Sequence, residues 1–160
     1  TMQFYWRTRA EMSPAAWVLN FAVVVDDVVV GTTGYITHQF ATTRVFETGS
    51  WLGREFQGKG FGKEMRLATL HLGFLGFDAQ VATTVAFADN GPSLGVTRSL
   101  GYQENGHSLK VRRGEAALSL NFEMARSDFL GALSGERRSH RDKLATLVAV
   151  WRNRRPPNAG

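Results

Sequence analysis

Three glycines at alternate positions stand in the run Gln57-Gly58-Lys59-Gly60-Phe61-Gly62-Lys63, between a segment of strand character near 44–52 and a helical run at 63–75. A strand, a glycine bend and a helix in immediate succession are one structural unit, and few folds accommodate it. Glycine tolerates positive φ and carries no side chain, so several backbone N–H groups can converge at the start of the following helix. Such a bend suits an anion. The helix dipole adds partial positive charge there, and Lys59 or Lys63 can add a full one. The same seven residues also suit a tight turn that binds nothing. Two better-known phosphate motifs are excluded by spacing. A P-loop needs Gly, four residues, then Gly-Lys-Ser/Thr, and a dinucleotide fingerprint needs Gly-x-Gly-x-x-Gly.

Valine-rich runs at 17–25 and 28–38 flank Asp26-Asp27 and predict an antiparallel hairpin, with a third strand at 44–52 after Ala41-Thr42-Thr43. Residues 1–16 read as the end of a helix followed by a loop. In the run 63–75 the residues Met65, Leu67, Ala68, Leu70, Leu72, Phe74 and Leu75 suit a mostly buried helix. A strand is expected at 80–87. A helix at 92–100 follows, opened by Asn90, with Pro92 in its first turn and Gly101 just past its end. Strands at 102–111 and 116–124 are joined through Arg113-Gly114. The sum is an α+β domain, a mixed and mainly antiparallel sheet with two helical crossovers.

The 160 residues fit one domain and not two. Apolar residues at 43% and charged residues at 21% are ordinary globular values, which excludes a disordered chain. With no cysteine, thiolate chemistry and cysteine-bound zinc are excluded, and the cytoplasm is the default compartment. No apolar run approaches the roughly 18 residues of a membrane span, and 1–30 lack the pattern of a secretory signal. Thr1-Met2 is an unusual start, so a chain trimmed upstream is expected. The net charge of +5 lies entirely in 135–160, which hold seven basic and two acidic residues. This stretch reads as a basic tail outside a domain of 1–134, with a short helix at 143–151. Such a tail can meet nucleic acid, but a solvated appendage is the simpler reading.

Gln57-x-x-Gly60-x-Gly62 resembles the acyl-CoA pyrophosphate signature of the GNAT superfamily of N-acetyltransferases. Glu47-Thr48-Gly49-Ser50-Trp51-Leu52 is similar to the fourth strand of its RimJ/RimL-like branch, and Asn90-x-x-Ser93 with Leu100-Gly101-Tyr102 to that branch's second cofactor segment. The three motifs stand in the family's order and spacing. The likeness covers about 17–126 and is greatest to actinobacterial acetyl- and succinyltransferase-like members. It implies flanking helices and central strands that splay apart, with pantetheine in the gap. Trp51 and Leu52 would offer backbone to pantetheine; Gln57, Gly58, Lys59, Gly60, Phe61, Gly62 and Lys63 would hold the pyrophosphate; Asn90 and Ser93 would line the far side. By its own chemistry Asn90 is also a plain helix cap. The family's first strand and one or two helices, which build much of the acceptor site, are reduced here to about sixteen residues. The front is therefore shortened, or a second subunit walls the acceptor.

The resemblance implies transfer of an acetyl group, or another such as succinyl, from CoA to a primary amine in a ternary complex, without a metal. This needs a base for the amine, a polarised carbonyl and a proton for the departing thiol. Glu47 is the candidate base, since its place in the third strand points it toward the gap; a solvent-facing carboxylate paired with Arg44 is the plain alternative. His38 would serve only if it reached the same gap, and His71 reads as surface or half-buried. Many family members carry a tyrosine acid where this chain has Thr97, so Ser93 becomes the candidate for assisting the thiolate. Asp89 reads as a turn residue and Tyr102 as packing. The competing function is a non-catalytic acyl-CoA-binding or protein/RNA interaction module. A homodimer is expected; a membrane partner is not.

Overall fold

The computed structural model describes residues 2–135. The expected helix at 143–151 and the basic tail lie outside them. The chain forms two compact units, 1–126 and 127–160; of the second, the described part belongs to helix α5 (Arg126–Gly135).

The first unit opens with helix α1 (Met2–Ala10). Strands β1 (Val18–Val25) and β2 (Val28–Thr37) follow, then a single helical turn α2 (Phe40–Thr43) and β3 (Val45–Leu52). A short turn at Arg54–Phe56 leads to helix α3 (Phe61–His71), which widens into a π turn at Leu72–Gly76. Strand β4 (Val81–Phe87), helix α4 (Gly91–Ser99) and the hairpin of β5 (Gln103–Arg112) and β6 (Glu115–Ala125) complete it. The sheet order is β1-β2-β3-β4-β6-β5, antiparallel except at β3–β4. The expected mixed sheet with flanking helices is thus observed. Asp26 (φ 47°) and Asp27 (φ 67°) both take the left-handed conformation that a two-residue hairpin turn demands.

Helix α3 crosses over the face of β2 and β3 that carries the even-numbered β3 residues. The Phe46 ring meets Phe74 edge-on at 5.5 Å, and a Cβ on Gly73 would lie 2.4 Å from that ring, so only glycine lets the π turn come so close to β3. Tyr35, Phe46, Leu70, Phe74 and Phe122 are the large, fully buried side chains of this core. The Tyr35 hydroxyl donates to the carbonyl of Thr69 at 2.5 Å, and the hydroxyls of Thr33 and Thr69 meet at 2.9 Å. Burial raises the Tyr35 phenol well above its usual range, so it stays neutral.

Ala41-Thr42-Thr43, ahead of the third strand, form part of α2. Two expectations are corrected. The helix at 63–75 begins two residues earlier, and its buried face holds Met65, Arg66, Thr69 and Leu70. Leu72 and Leu75 are exposed, because the π turn rotates the chain away from the regular α-helical face.

Candidate functional site

Parallel pairing of β3 and β4 runs from Val45↔Val81 to Thr48↔Thr84 and stops. Beyond it, Gly49–Leu52 keep β2 on one side, and Val85–Phe87 pair only with β6. Two strands that begin as neighbours therefore part, and the facing backbone of each is left without a strand partner. Polar side chains pin the vertex: Thr84 Oγ1 donates to the Thr48 carbonyl at 3.0 Å, and Thr48 Oγ1 meets the Tyr102 hydroxyl at 3.2 Å.

The glycine bend closes the wide end of this wedge. Gly58 (φ 74°) and Gly60 (φ 89°) are left-handed, and a Cβ at either would meet nothing within 4 Å. The N–H groups of Lys63 and Glu64 fold back onto the Gly60 carbonyl at 3.0 and 3.2 Å. Those of residues 58–62 donate to no backbone or side-chain acceptor among the described residues. Five amides thus lie at or before the first turn of α3, where the helix dipole is positive. Gln57 Nε2 donates to the Leu52 carbonyl at 3.1 Å and ties the bend to β3. Asn90 caps α4, accepting from the Ser93 N–H at 3.2 Å. Gly62 brings the helices together, its Cβ position 3.9 Å from Val96.

Between these parts lies a cleft of about 520 Å³. Of the residues expected there, Trp51, Leu52, Gln57, Gly58, Gly60, Gly62, Lys63, Asn90 and Ser93 line it. Lys59 and Phe61 do not. The Lys59 ammonium turns back over the Phe56 ring, 5.8 Å from its centroid. Glu47 does not line the cleft either. It is half-buried on the face of β3 opposite Phe46, one position before the strands part, and has no hydrogen-bond or ion-pair partner among the described residues. His38 stands exposed at the end of β2. Asp89 forms an ion pair with Arg112, whose guanidinium stacks 4.4 Å above Phe87. That pairing holds the Asp89 carboxyl below its usual range, so the contact contributes at neutral pH and is lost only as acid protonates it. Tyr102 is buried, as expected of a packing residue.

The expected set lacks one cleft residue of consequence, Arg66, on the wall formed by α3. It follows Gly62 by four positions and so shares that residue's helix face. This signal was available in the sequence, but an arginine in an apolar run reads more readily as a surface residue.

The fold and this site define an acyltransferase-like domain, and comparison with known proteins agrees. The family model for the acetyltransferase (GNAT) domain matches residues 1–103, so the chain belongs to the GNAT acetyltransferase family. The SPbeta prophage-derived uncharacterized N-acetyltransferase YokL of Bacillus subtilis is 33% identical over 76 residues, 46% of this chain and 43% of that protein. This chain therefore matches less than half the length of that relative. Among solved structures, spermidine N-acetyltransferase from Vibrio cholerae in complex with CoA and spermine superposes with a TM-score of 0.69 at 17% identity, over 81% of this chain and 76% of the other. A putative ribosomal-protein-serine acetyltransferase from the same organism gives 0.63 at 22% identity, over 77% and 72%. At these identities the structural likeness establishes the fold.

Proposed function

We infer that this protein is an acyl-CoA-dependent N-acyltransferase that moves an acetyl group to a primary amine by direct attack in a ternary complex. The observation that carries the reading is the wedge between β3 and β4 closed by a bend whose five N–H groups make no hydrogen bond among the described residues. Gly58, Lys59 and Gly60 are exposed and Phe61 and Gly62 half-buried, so these amides are open to an incoming acceptor. A diphosphate supplies several acceptor oxygens at once, and the open space above Gly58 and Gly60 admits it. The neighbour that holds CoA and spermine shares this fold, which supports both the donor and an amine acceptor.

Acyl-CoA brings an activated thioester, and the chain's own groups do the rest. Gln57, Gly58, Gly60, Gly62 and Lys63 hold the diphosphate. The β3 backbone at Trp51 and Leu52, past the end of the pairing with β4, orients the arm, and Asn90 with Ser93 bounds it on the α4 side. Lys59 and Phe61 contribute main chain only. Glu47 takes a proton from the acceptor amine, on the sheet face away from α3. Ser93, whose hydroxyl makes no hydrogen bond among the described residues, donates a hydrogen bond to the departing thiolate, which takes its proton from solvent. No cysteine is present to carry the acyl group, in keeping with direct attack.

The finer assignments belong to the same proposal. The motifs at 47–52 and 90–102 support a RimJ/RimL-like protein of actinobacterial type, for which succinyl-CoA is the second donor to try. Cytoplasmic residence follows from a donor made there; no described helix is long and apolar enough to cross a membrane. A homodimer is supported by the β5 edge, where Leu109 and Val111 are 73% and 81% exposed.

The test is release of free CoA from acetyl-CoA and succinyl-CoA across a panel of polyamines, lysine peptides and protein N-termini. Turnover on at least one amine is expected. A CoA-dependent rise in melting temperature with no turnover on any amine would instead mark a binding module.

A further inference from the structure

Arg66 is buried to 7% exposure in the α3 wall of the cleft, and no carboxylate pairs with it among the described residues. Its Nη1 donates to Thr97 Oγ1 at 2.8 Å, and Thr97 Oγ1 in turn donates to the Ser93 carbonyl at 2.9 Å. The guanidinium lies over the Tyr102 ring, 5.7 Å from the centroid. Nη2 meets no acceptor at hydrogen-bond distance among the described residues, although the Tyr102 hydroxyl interacts favourably with the guanidinium. A buried charge without a counterion and a buried donor without an acceptor are both costly, and folded proteins seldom keep them without a reason. Burial accordingly lowers the Arg66 pKa.

Its position supplies the reason. Four residues separate Arg66 from Gly62, a rise of about 6 Å along α3 away from the glycine bend. In the other direction Tyr102 links it to the vertex of the wedge, since the ring under Arg66 carries the hydroxyl that meets Thr48. Arg66 therefore stands between the anion cradle and the point where β3 and β4 part. An arm joining a diphosphate at one end to a thioester at the other must pass it.

We propose that Arg66 is a binding residue for that arm: its Nη2 donates to an amide or hydroxyl oxygen of pantetheine, and Thr97 and Tyr102 hold the guanidinium in its resting place until the arm arrives. Nη2 is closed off from solvent as it stands, so the proposal includes a swing of the guanidinium toward the cleft. The inference rests on the acyl-CoA reading above and deepens it by assigning recognition of the arm to a side chain, separately from recognition of the diphosphate.

Calorimetry on the intact protein with two ligands tests this: CoA, and 3′-phospho-ADP, which keeps the diphosphate and lacks the arm. Arg66→Met is expected to weaken CoA about tenfold, the worth of one charge-assisted hydrogen bond, and to leave 3′-phospho-ADP within about twofold of wild type. Arg66→Lys is expected to recover part of the loss. Thr97→Val, which removes the Nη1 acceptor together with that hydroxyl's bond to the Ser93 carbonyl, reports on the α3–α4 clip through melting temperature and guards against an Arg66→Met protein that does not fold. Equal losses for both ligands would overturn the proposal in favour of a purely electrostatic or packing role. Unchanged CoA affinity in a folded Arg66→Met would overturn it outright. Failure of the wild type to bind CoA would instead remove the acyl-CoA reading on which it stands.

Discussion

Gly60→Trp is expected to weaken CoA binding about 100-fold or more, equivalent to about 2.7 kcal/mol or greater. The Cβ position at Gly60 faces open space, so an indole there fills the volume in front of the unbonded N–H groups and displaces whatever they hold. Loss of two or three charge-assisted hydrogen bonds at about 1.5–3 kcal/mol each would account for such a drop. A second effect must be separated from this one. Gly60 has φ 89°, where a side chain costs about 1–2 kcal/mol of backbone strain, so the variant should also melt earlier. Gly62→Val supplies the control, because Gly62 lies outside the left-handed region and its Cβ position makes only ordinary contact with Val96. It narrows the same opening without that strain. Undiminished CoA binding in either folded variant contradicts the cradle.

Glu47→Gln is expected to lower turnover at neutral pH about 100-fold while leaving CoA affinity within about twofold, the signature of a lost general base. The expectation follows from position. Pairing registers Glu47 with Thr83 one step before the strands part, and its neighbours Phe46 and Thr48 are buried on the α3 side. The carboxylate consequently stands on the other face of the sheet, half-buried and without a partner among the described residues. There it is separated from the diphosphate end and adjacent to the vertex. A side chain that merely decorated the strand would be replaced at little cost. Equal rates for Glu47→Gln and wild type on the best amine would remove Glu47 from the base role and leave the proton to water. A parallel loss of CoA affinity would point to a displaced β3.

Much of this arrangement was legible in the sequence, because the signals were local. Valine runs around Asp26-Asp27 mark the β1–β2 hairpin, since two left-handed residues between strands leave few other choices. Asn90, Pro92 and Gly101 mark α4 in the same way, and Gly101 indeed takes φ 93°. The glycine bend could be placed because backbone freedom at Gly58 and Gly60 is a property of the residues themselves. What stayed hidden depends on tertiary context. Arg66 and Thr69 are buried because Thr97, Thr33 and Tyr35 supply their hydrogen bonds from other elements, and hydrophobic periodicity along α3 cannot register such partners. Leu72 and Leu75 are exposed because the chain widens to a π turn where Gly73 meets Phe46. Lys59 carries the right charge for a phosphate ligand, yet Phe56 offers its ammonium a nearer surface.

The central claim is that the N–H groups of the bend at 58–62 grip the diphosphate of an acyl carrier. A crystal structure of the protein with CoA tests it most directly. The expected result is diphosphate oxygens within hydrogen-bond distance of those amides and pantetheine lying between β3 and β4. Density for CoA at any other place on the molecule, with the bend unoccupied, would contradict it.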